Sequence, residues 1–447
     1  MKQRHRHLSS SRIILLGFLS VIALGSILLM LPISTRNREW ASFSDALFTA
    51  TSSVCVTGLV VQNTATYWSA FGQAVIIILI QIGGMGVVTL AVAIAMFAGR
   101  KIGLMQRSTM QEAIAAPKVS GIVRMTGFIL KGVFLIELIG AAVMYPVFAR
   151  DVGVFKGIWY AVFHSVSAFC NAGFDIMGTV KPFSSITMYV YEPVINIAVM
   201  LLIIIGGIGF LTWDDIKTNG IHLRKYRMQS KVVFTVTLAL IFIPAAFFYF
   251  FEFSRPEWGE LGVGQRLLCS FFQAVTPRTA GFNTVDLNAL SGPSQVIMIL
   301  LMLIGGSPGS TAGGMKTTTV AVLIMTAFAV FRKHDDPQLF GRRIAAETVH
   351  QAAALLLMYV ILFLGGGLFI SCAEGIPVMT AFFETASAIG TVGLSLGATP
   401  YMGTASRLVL IALMIFGRVG GLTLIFAAWS TSKHGVSRLP QEKINVG

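Results

Sequence analysis

The sequence carries very little charge for its length. Only 12% of its 447 residues are Asp, Glu, Lys or Arg, whereas 55% are hydrophobic. A soluble globular domain carries about a quarter charged residues. Acidic residues are the scarcest, 19 against 33 basic ones. This composition excludes an ordinary soluble protein and indicates a chain that lies mostly in lipid.

Motifs for catalysis and for metal binding are also lacking. There is no CxxC pair and no Cys/His cluster with metal-ligand spacing, so we predict free, buried thiols at Cys55, Cys170, Cys269 and Cys372. We find no HExxH, no nucleophile–base pair and no carboxylate–histidine cluster in the loops. Gly309–Lys316 lacks the Gly-Lys step of a phosphate-binding loop. A membrane-embedded enzyme, such as a lipid-modifying transferase, is therefore disfavoured, and we expect no covalently bound cofactor.

Long apolar runs, by contrast, recur along the whole chain. Examples are Ile13–Ile33, Ala74–Ala98 and Ile197–Leu211. Because a membrane crossing needs about 20 apolar residues, we predict eight crossing segments and four shorter ones that cannot cross. The basic start before Ile13–Met30 suggests a signal peptide, but this run is too long and no small-x-small cleavage site follows. We therefore predict a retained first helix.

The basic residues are not spread evenly. Most of the 33 lysines and arginines fall in five segments, 1–12, 99–124, 212–231, 332–347 and 433–447. Loops rich in Lys and Arg lie on the cytoplasmic side of a membrane. The charge therefore predicts topology rather than nucleic-acid binding: a multi-pass plasma-membrane protein with both termini in the cytoplasm. The basic segments could also contact anionic lipid or a cytosolic partner.

One sequence pattern occurs four times. Each copy is a short apolar-aromatic run, then small and polar residues, then a glycine followed by Leu or Phe. A second glycine signature follows 24 to 33 residues later, inside an apolar run. The first glycines are evenly spaced, which indicates four internal repeats: Gly58, Gly173, Gly281 and Gly393.

The predicted fold is an all-α membrane protein of four M1–P–M2 repeats around one central pore, with eight transmembrane helices. M1 and M2 are spanning helices, and P is a re-entrant half-helix with its loop. A half-helix of about a dozen residues spans roughly 18 Å, less than the core of about 30 Å, so it must re-enter. Asp45 suits the N-terminal end of the first half-helix, and Pro377 the first turn of the fourth. We place the repeats at 1–100, 101–216, 217–335 and 336–432, with a cytosolic tail at 433–447.

Four non-helical loops at membrane depth predict a cation pathway. Lipid does not tolerate exposed carbonyls, whereas a water-filled cavity lined by protein does. Carbonyl oxygens can replace the hydration shell of a cation, and the half-helix C-termini add negative potential. Glycine leaves the path open and allows positive φ, although membrane glycines also serve close helix packing. Asp175 stands alone near these loops, so a monovalent ion fits better than a divalent one.

The sequence resembles the Trk/Ktr/HKT superfamily of potassium transporters over nearly its full length, and within it the KtrB-type membrane subunits of bacterial Ktr systems. The marks are four tripeptides in order and period, together with Gly305–Lys316: Val56-Thr57-Gly58, Asn171-Ala172-Gly173, Thr279-Ala280-Gly281 and Thr391-Val392-Gly393.

This resemblance implies a role for each tripeptide. They would form a potassium selectivity filter, with the ion at the carbonyls of Thr57, Ala172, Ala280 and Val392. Some plant relatives that transport sodium have Ser in the first filter position. Here that position is Gly58, which favours potassium. A sodium or mixed-cation transporter of the same architecture remains the alternative.

The resemblance also implies partners. The family assembles as a homodimer with one pore in each subunit. Its cytosolic partner is a KtrA-like ring of nucleotide-binding subunits that responds to ATP and ADP. Sodium stimulation is a family trait, although we see no residue in this sequence that accounts for it.

The third repeat contains an interrupted apolar segment. Glycine, proline and hydroxyl residues break its helix, and we interpret the stretch as an intramembrane gating loop below the filter, which the resemblance supports. A flexible kink or an extramembrane turn is the alternative. The residues are Gly305, Gly306, Ser307, Pro308, Gly309, Ser310, Thr311, Ala312, Gly313, Gly314, Met315 and Lys316.

Arg418 lies inside the last predicted span, Thr404–Trp429. A charge there is costly and usually faces a pathway or a partner. It could form a positive barrier beneath the filter, as part of the gate. It could also be satisfied structurally by carbonyls of the gating loop or by Glu384. Lys316 either snorkels to the cytoplasmic interface or takes part in the pore.

Two further ionisable residues fall within predicted membrane segments. We prefer a structural pair between Glu137 and Lys131, with an ion-coupling carboxylate as the alternative. His164 lies in a half-helix, where a hydrogen-bonded core histidine is a better interpretation than a functional ligand.

Overall fold

The computed structural model describes residues 9–97, 102–114, 120–179, 181–334, 336–421 and 423–425. The predicted cytosolic tail at 433–447 and the basic residues of 1–8 lie outside these ranges. In the described part, helices dominate, and four of them are long and apolar enough to cross a membrane: Ser10–Met30, Ile122–Val152, Met228–Glu252 and Ala346–Glu374.

The first stretch of chain has one long helix followed by shorter ones. The N-cap of the short second helix is Ser42, whose Oγ accepts a hydrogen bond from the backbone N–H of Asp45 at 3.1 Å. Asp45 lies in the first turn, as predicted, where a carboxylate favours the positive helix end. The helices are α1 (Ser10–Met30), α2 (Phe43–Val54), α3 (Ala70–Met85), α4 (Val87–Phe97) and α5 (Leu104–Ile114).

The second stretch begins with the longest helix, which turns back through Gly153 into a short one. Gly153 has φ 86°, a conformation that glycine adopts without strain, so the two helices pack against each other directly. The helices are α6 (Ile122–Val152), α7 (Val154–Phe169), α8 (Pro193–Gly207) and α9 (Phe210–Asn219).

The third stretch has its long helix extended by a π-helical turn at Phe248–Glu252. Its last apolar segment is split by the glycine-rich residues between Leu303 and Thr317. The helices are α10 (Met228–Phe247), α11 (Val263–Val275), α12 (Gly292–Leu303) and α13 (Thr317–Phe331).

The fourth stretch opens with a small antiparallel hairpin, β1 (Gln338–Leu339) and β2 (Arg342–Arg343). Pro377 is the N-cap of the short helix that follows α14, one position before the first turn where we predicted it. The helices are α14 (Ala346–Glu374), α15 (Val378–Gly390) and α16 (Thr404–Val419). Short 3₁₀ turns lie at Pro32–Ser34, Thr187–Tyr189, Leu223–Lys225, Pro256–Trp258, Leu287–Ala289 and Thr399–Tyr401.

The second glycine signatures lie where helices bend or end. Helices α3 and α4 meet at 95°, and α8 and α9 at 94°. The residues at the breaks, Gly86 and Gly209, have φ 84° and 91°, and Gly420 after α16 has φ 90°. Positive φ interrupts the helical hydrogen-bond ladder. Among the residues that the structure describes, four uninterrupted helices are therefore long and apolar enough to cross a membrane, or up to six if each bent pair counts as one span.

The packing is typical of a membrane protein. Large apolar side chains face outward on the long helices, such as Leu24, Leu138 and Ile243, which are 62%, 67% and 70% exposed. Small polar residues of the short helices are buried instead, including Thr49, Thr51, Ser52 and Ser53 of α2. The first and last stretches are joined by an ion pair between Arg407 Nη1 and Asp45 Oδ1 at 2.8 Å. This ion pair joins α16 to the short helix α2.

Candidate ion pathway

The four short helices end just before the four predicted glycines. In the segment that follows each helix, positive φ occurs at the glycine and again two residues before it, with a residue of ordinary φ between them. The φ values are 50° and 91° for Val56 and Gly58, 57° and 66° for Asn171 and Gly173, 64° and 80° for Thr279 and Gly281, and 51° and 94° for Thr391 and Gly393. Alternation of positive and ordinary φ can turn successive peptide N–H groups toward the same side.

The peptide N–H groups of these segments point back toward their own short helices. The N–H groups of Thr57, Ala172 and Val392 each donate to a helix carbonyl at 2.8 Å, and that of Ala280 donates to Thr276 O at 3.0 Å. Each N–H shares its peptide group with the C=O of the preceding residue, and the two lie on opposite sides of that group. The carbonyl oxygens of Val56, Asn171, Thr279 and Thr391 are therefore directed away from the helices. The carbonyls that the sequence interpretation assigned to the ion lie one residue later. Those of Thr57, Ala280 and Val392 share a peptide group with the N–H of Gly58, Gly281 and Gly393, and these N–H groups donate to Ser52 Oγ at 3.1 Å, Thr276 O at 3.3 Å and Ser387 Oγ at 2.9 Å.

Hydroxyl residues that the sequence interpretation missed hold each segment in place. Ser52 Oγ accepts from Gly58 N at 3.1 Å, and Ser387 Oγ accepts from Gly393 N at 2.9 Å. Ser167 Oγ donates to Phe174 O at 2.7 Å, and Thr276 Oγ1 donates to Phe282 O. A hydroxyl residue five or six positions before each glycine was a signal present in the sequence.

The four glycines form a closed ring. A Cβ added to Gly58 would collide with Ala172 O, and one on Gly173 would lie 2.5 Å from Ala280 O. A Cβ on Gly281 would collide with Val392 O, and one on Gly393 with Thr57 O. Each glycine thus lies against the carbonyl that precedes the next glycine, and the fourth lies against the first. All four line one cavity of about 320 Å³.

The glycine-rich segment 305–316 packs between helix breaks from other parts of the chain. Ser307 N donates to Gly207 O at 2.9 Å, and Phe210 N donates to Gly309 O at 2.7 Å. Gly314 N donates to Gly417 O at 3.1 Å. Backbone hydrogen bonds thus hold the segment on two sides.

The same segment touches the ring. Thr311 Oγ1 lies 3.0 Å from both Asn171 Oδ1 and Phe169 O. The other end of the Asn171 amide, Nδ2, donates to Arg278 O at 3.2 Å. Asn171 is fully buried, so a single amide joins the second ring segment, the third ring segment and the glycine-rich segment.

The side chains of Arg418 and Lys316 donate hydrogen bonds to backbone carbonyls of segment 305–316. Arg418 donates to Thr311 O and to Gly83 O, and its Nη2 lies 3.2 Å from Gly84 O. Lys316 Nζ donates to Ala312 O at 2.8 Å and to Gly313 O at 3.3 Å. The side chain of Lys316 therefore folds back onto its own segment.

Glu384 does not satisfy Arg418, contrary to one of the alternatives. Its carboxylate accepts from Ser395 Oγ at 2.7 Å, Leu396 N at 3.0 Å and Thr399 Oγ1 at 2.5 Å. These donors all belong to the loop after the fourth ring segment. Glu384 therefore shapes that loop, while carbonyls satisfy Arg418.

The predicted pair of Glu137 and Lys131 is also wrong, since no such pair occurs within the described residues. Glu137 Oε2 accepts from Gln81 Nε2 at 3.3 Å, and its Oε1 lies 3.8 Å from Cys170 Sγ. His164 is a buried core histidine as expected, with Nδ1 2.7 Å from Tyr160 O. The cysteines are free, and three are buried, but Cys372 is exposed.

A second cavity of about 360 Å³ adjoins the glycine-rich segment. It is lined by Pro308–Ser310, Lys316 and Arg418, and also by the end of α5 at Glu112–Ile114. A Cβ on Gly309 would collide with Ile114 O. Two cavities thus lie along the candidate pathway, one at the ring and one at the glycine-rich segment.

A ring of carbonyls among apolar helices defines the class of protein as a multi-pass membrane protein built to pass cations. The family model for TrkH cation transport proteins matches residues 13–435. The chain belongs to this family, which is one of transporters rather than enzymes.

Relatives are similar over nearly the whole chain. The Ktr system potassium uptake protein B of Bacillus subtilis is 37% identical over 98% of this chain and 96% of its own. The potassium/sodium uptake protein NtpJ of Enterococcus hirae is 37% identical over 100% and 99%. The crystal structure of the potassium transporter TrkH from Vibrio parahaemolyticus matches with a TM-score of 0.74 at 20% identity, covering 95% of this chain and 86% of that one. This last likeness shows the fold.

Proposed function

We propose that this chain takes up potassium ions across the cell membrane through a selective, gated, channel-like pore, as the ion-translocating subunit of a Ktr-type system. The observation that carries this proposal is the closed ring in which each glycine lies against the next segment's carbonyl. Four such carbonyls can replace water around a weakly hydrated monovalent ion. The names of the relatives in Bacillus subtilis and Enterococcus hirae support potassium as the ion.

The proposed architecture is four M1–P–M2 repeats around one pore, with eight membrane crossings. In this view each bent or broken pair, α3 with α4, α8 with α9 and α12 with α13, is one M2 element, and α16 begins the fourth. The repeat boundaries at 1–100, 101–216, 217–335 and 336–432 stay predictions. The basic segments support cytoplasmic termini in the plasma membrane.

The filter residues are those of the four tripeptides from Val56 to Gly393, with potassium at the carbonyls of Thr57, Ala172, Ala280 and Val392. The gate is the segment 305–316 together with Arg418. Closure places backbone and hydroxyl groups across the path, and the guanidinium of Arg418 repels cations beneath the filter. The bonds from Arg418 to Thr311, Gly83 and Gly84 support a role in holding this segment in place.

The proposed partners are a second copy of the chain and a cytosolic, KtrA-like ring that binds ATP or ADP. The word "system" in the name of the Bacillus subtilis relative supports a multi-subunit assembly. The end of α5 supports a route from the cytosolic side to the gate, because Ile114 touches Gly309. Potassium is the transported ion, no cofactor is bound covalently, and sodium stimulation would be a further family property.

A sodium or mixed-cation transporter is the second candidate, favoured by the name of the Enterococcus hirae relative. Cells that lack potassium uptake should regain growth on low potassium when they express this chain. In proteoliposomes, potassium flux should exceed sodium flux at equal concentrations, and Gly58→Ser should narrow that difference. A larger sodium than potassium flux in the unaltered protein would replace the first candidate by the second.

A further inference from the structure

The cavity at the ring has few charged side chains. They are Asp175, Lys181 and Asp286. Asp175 follows Gly173 by two positions, so the chain itself places it beside the ring, and it is half-buried. Lys181 and Asp286 lie farther along their loops and are exposed. The cavity thus holds one partly desolvated carboxylate next to the ring carbonyls.

The two carboxylates of this cavity differ in what they bind. Asp175 Oδ1 accepts from Met177 N at 2.9 Å. Within the described residues, its second oxygen has no hydrogen-bond partner. Asp286 Oδ1 accepts from Asn288 N at 3.0 Å and from Asn288 Nδ2 at 3.3 Å, which caps a local turn. Asp175 is therefore orientated by one backbone bond and keeps an oxygen for a ligand in the cavity.

We propose that Asp175 is an outer capture site, where the cation exchanges part of its water for a carboxylate oxygen before it enters the ring. This inference rests on the proposed function and adds to it the residue that sets apparent affinity from outside. A partly buried charge attracts a cation more strongly than an exposed one, because less water screens it. Lys181, in the same cavity, opposes this attraction.

Burial raises the pKa of Asp175 to about 6, while its bond from Met177 lowers it. The pKa of a carboxyl is raised because the charged form is the one that burial disfavours. As external pH falls through about 6, Asp175 gains a proton and the capture site loses its charge. The titratable groups that line the same cavity are Lys181, Asp286 and Tyr401, and Tyr160 lies near enough to feel the charges of both Asp175 and Arg36.

The experiment measures rubidium uptake into proteoliposomes against external rubidium concentration at several pH values. For Asp175→Asn we expect KM to rise about five-fold near pH 7.5 with Vmax little changed, because only outer capture is weakened. The KM of the unaltered protein should rise toward that of the variant between pH 7 and pH 5, whereas the variant should show a flat profile. Asp286→Asn, the matched control, should change KM by less than about two-fold.

Lys181→Gln tests the same site by removing a positive charge from the cavity instead of a negative one. Lys181 is exposed, so this variant should fold, and its KM should fall by about two-fold as the repulsion is removed. Asp175→Glu should keep the pH-dependent KM. An unchanged KM in both Asp175→Asn and Lys181→Gln, or a loss of Vmax alone in Asp175→Asn, would overturn the inference. If the unaltered protein carries no rubidium or potassium, the proposed function itself fails, which separates the two outcomes.

Discussion

The glycine ring and the layer next to it, which consists of the glycine-rich segment 305–316 and Arg418, are organised differently. At the ring, four segments from distant parts of the chain repeat one geometry, with positive φ at the same two positions and a hydroxyl residue behind each. At the adjoining layer, one segment of the third stretch is held by glycine breaks of the second and fourth. A uniform ring suits equal coordination of an ion, whereas an asymmetric layer can be moved by a contact at one side.

The ring should be the least tolerant part of the molecule. Gly281→Ala would place a Cβ on Val392 O and force an alanine into φ 80°. We expect potassium flux to fall by about ten-fold or more, because the carbonyl must move. The matched control is Gly264→Ala in α11, where a Cβ meets nothing within 4 Å. Fluxes from equal amounts of monodisperse protein make the comparison, and equal flux in both variants would contradict the ring.

The adjoining layer should respond in the opposite direction. Arg418→Gln removes the positive charge and its bonds to Thr311, Gly83 and Gly84. We expect basal potassium flux to rise several-fold in the absence of any cytosolic partner, since the positive charge in the path and the hydrogen bonds that hold segment 305–316 are both lost. Arg418→Lys keeps the charge and should leak less. A basal flux that stays low in Arg418→Gln would assign this residue a structural role alone.

The bond between the two regions can be cut without touching either charge. Thr311→Val keeps the shape but leaves Asn171 Oδ1 without its donor, whereas Thr311→Ser keeps the hydroxyl. We expect the valine variant to change the ratio of potassium to sodium flux by about two- to five-fold, because an unpaired buried amide shifts the ring segment. If both variants change total flux and neither changes the ratio, the ring and the layer are independent.

Stability should depend on the ion pair that joins the first and last stretches. Asp45→Asn leaves Arg407 poorly paired in a largely buried position, and we expect a loss of about 1–3 kcal/mol. Arg343→Gln breaks an exposed pair with Asp336 and serves as the control, with an expected change below about 1 kcal/mol. Thermal unfolding in detergent compares them, and equal midpoints would show that the ring closes without this pair.

The smallest effect is expected at Glu137. Because its partners in the structure are Gln81 and Cys170, Glu137→Gln preserves shape and most of the hydrogen bonding. Potassium flux should change by less than about two-fold. A large loss of flux, with normal thermal unfolding, would instead support the ion-coupling carboxylate that the sequence left open.

Much of the ring was predictable from the sequence alone. The regular spacing of Gly58, Gly173, Gly281 and Gly393 identified the four segments, and the scarcity of charge identified the membrane. Both signals can be read without knowing which segments contact each other in the folded protein. The hydroxyls of Ser52 and its counterparts were equally visible, but their meaning depends on how the loop folds back onto its helix.

The pairing of ionisable side chains was decided only by the tertiary structure. Lys131 lies close to Glu137 in sequence, yet the side chains that contact the Glu137 carboxylate are Gln81 and Cys170, from other parts of the chain. Likewise, Arg418 donates to the carbonyls of Thr311, 107 residues away in sequence, and of Gly83, 335 residues away. The second glycine signatures also lie at helix ends, where Gly86, Gly209 and Gly420 have positive φ. The spacing of glycines in the sequence does not reveal this backbone conformation. A repeated pattern determines which residues are equivalent, whereas packing between repeats determines which neighbours each one receives.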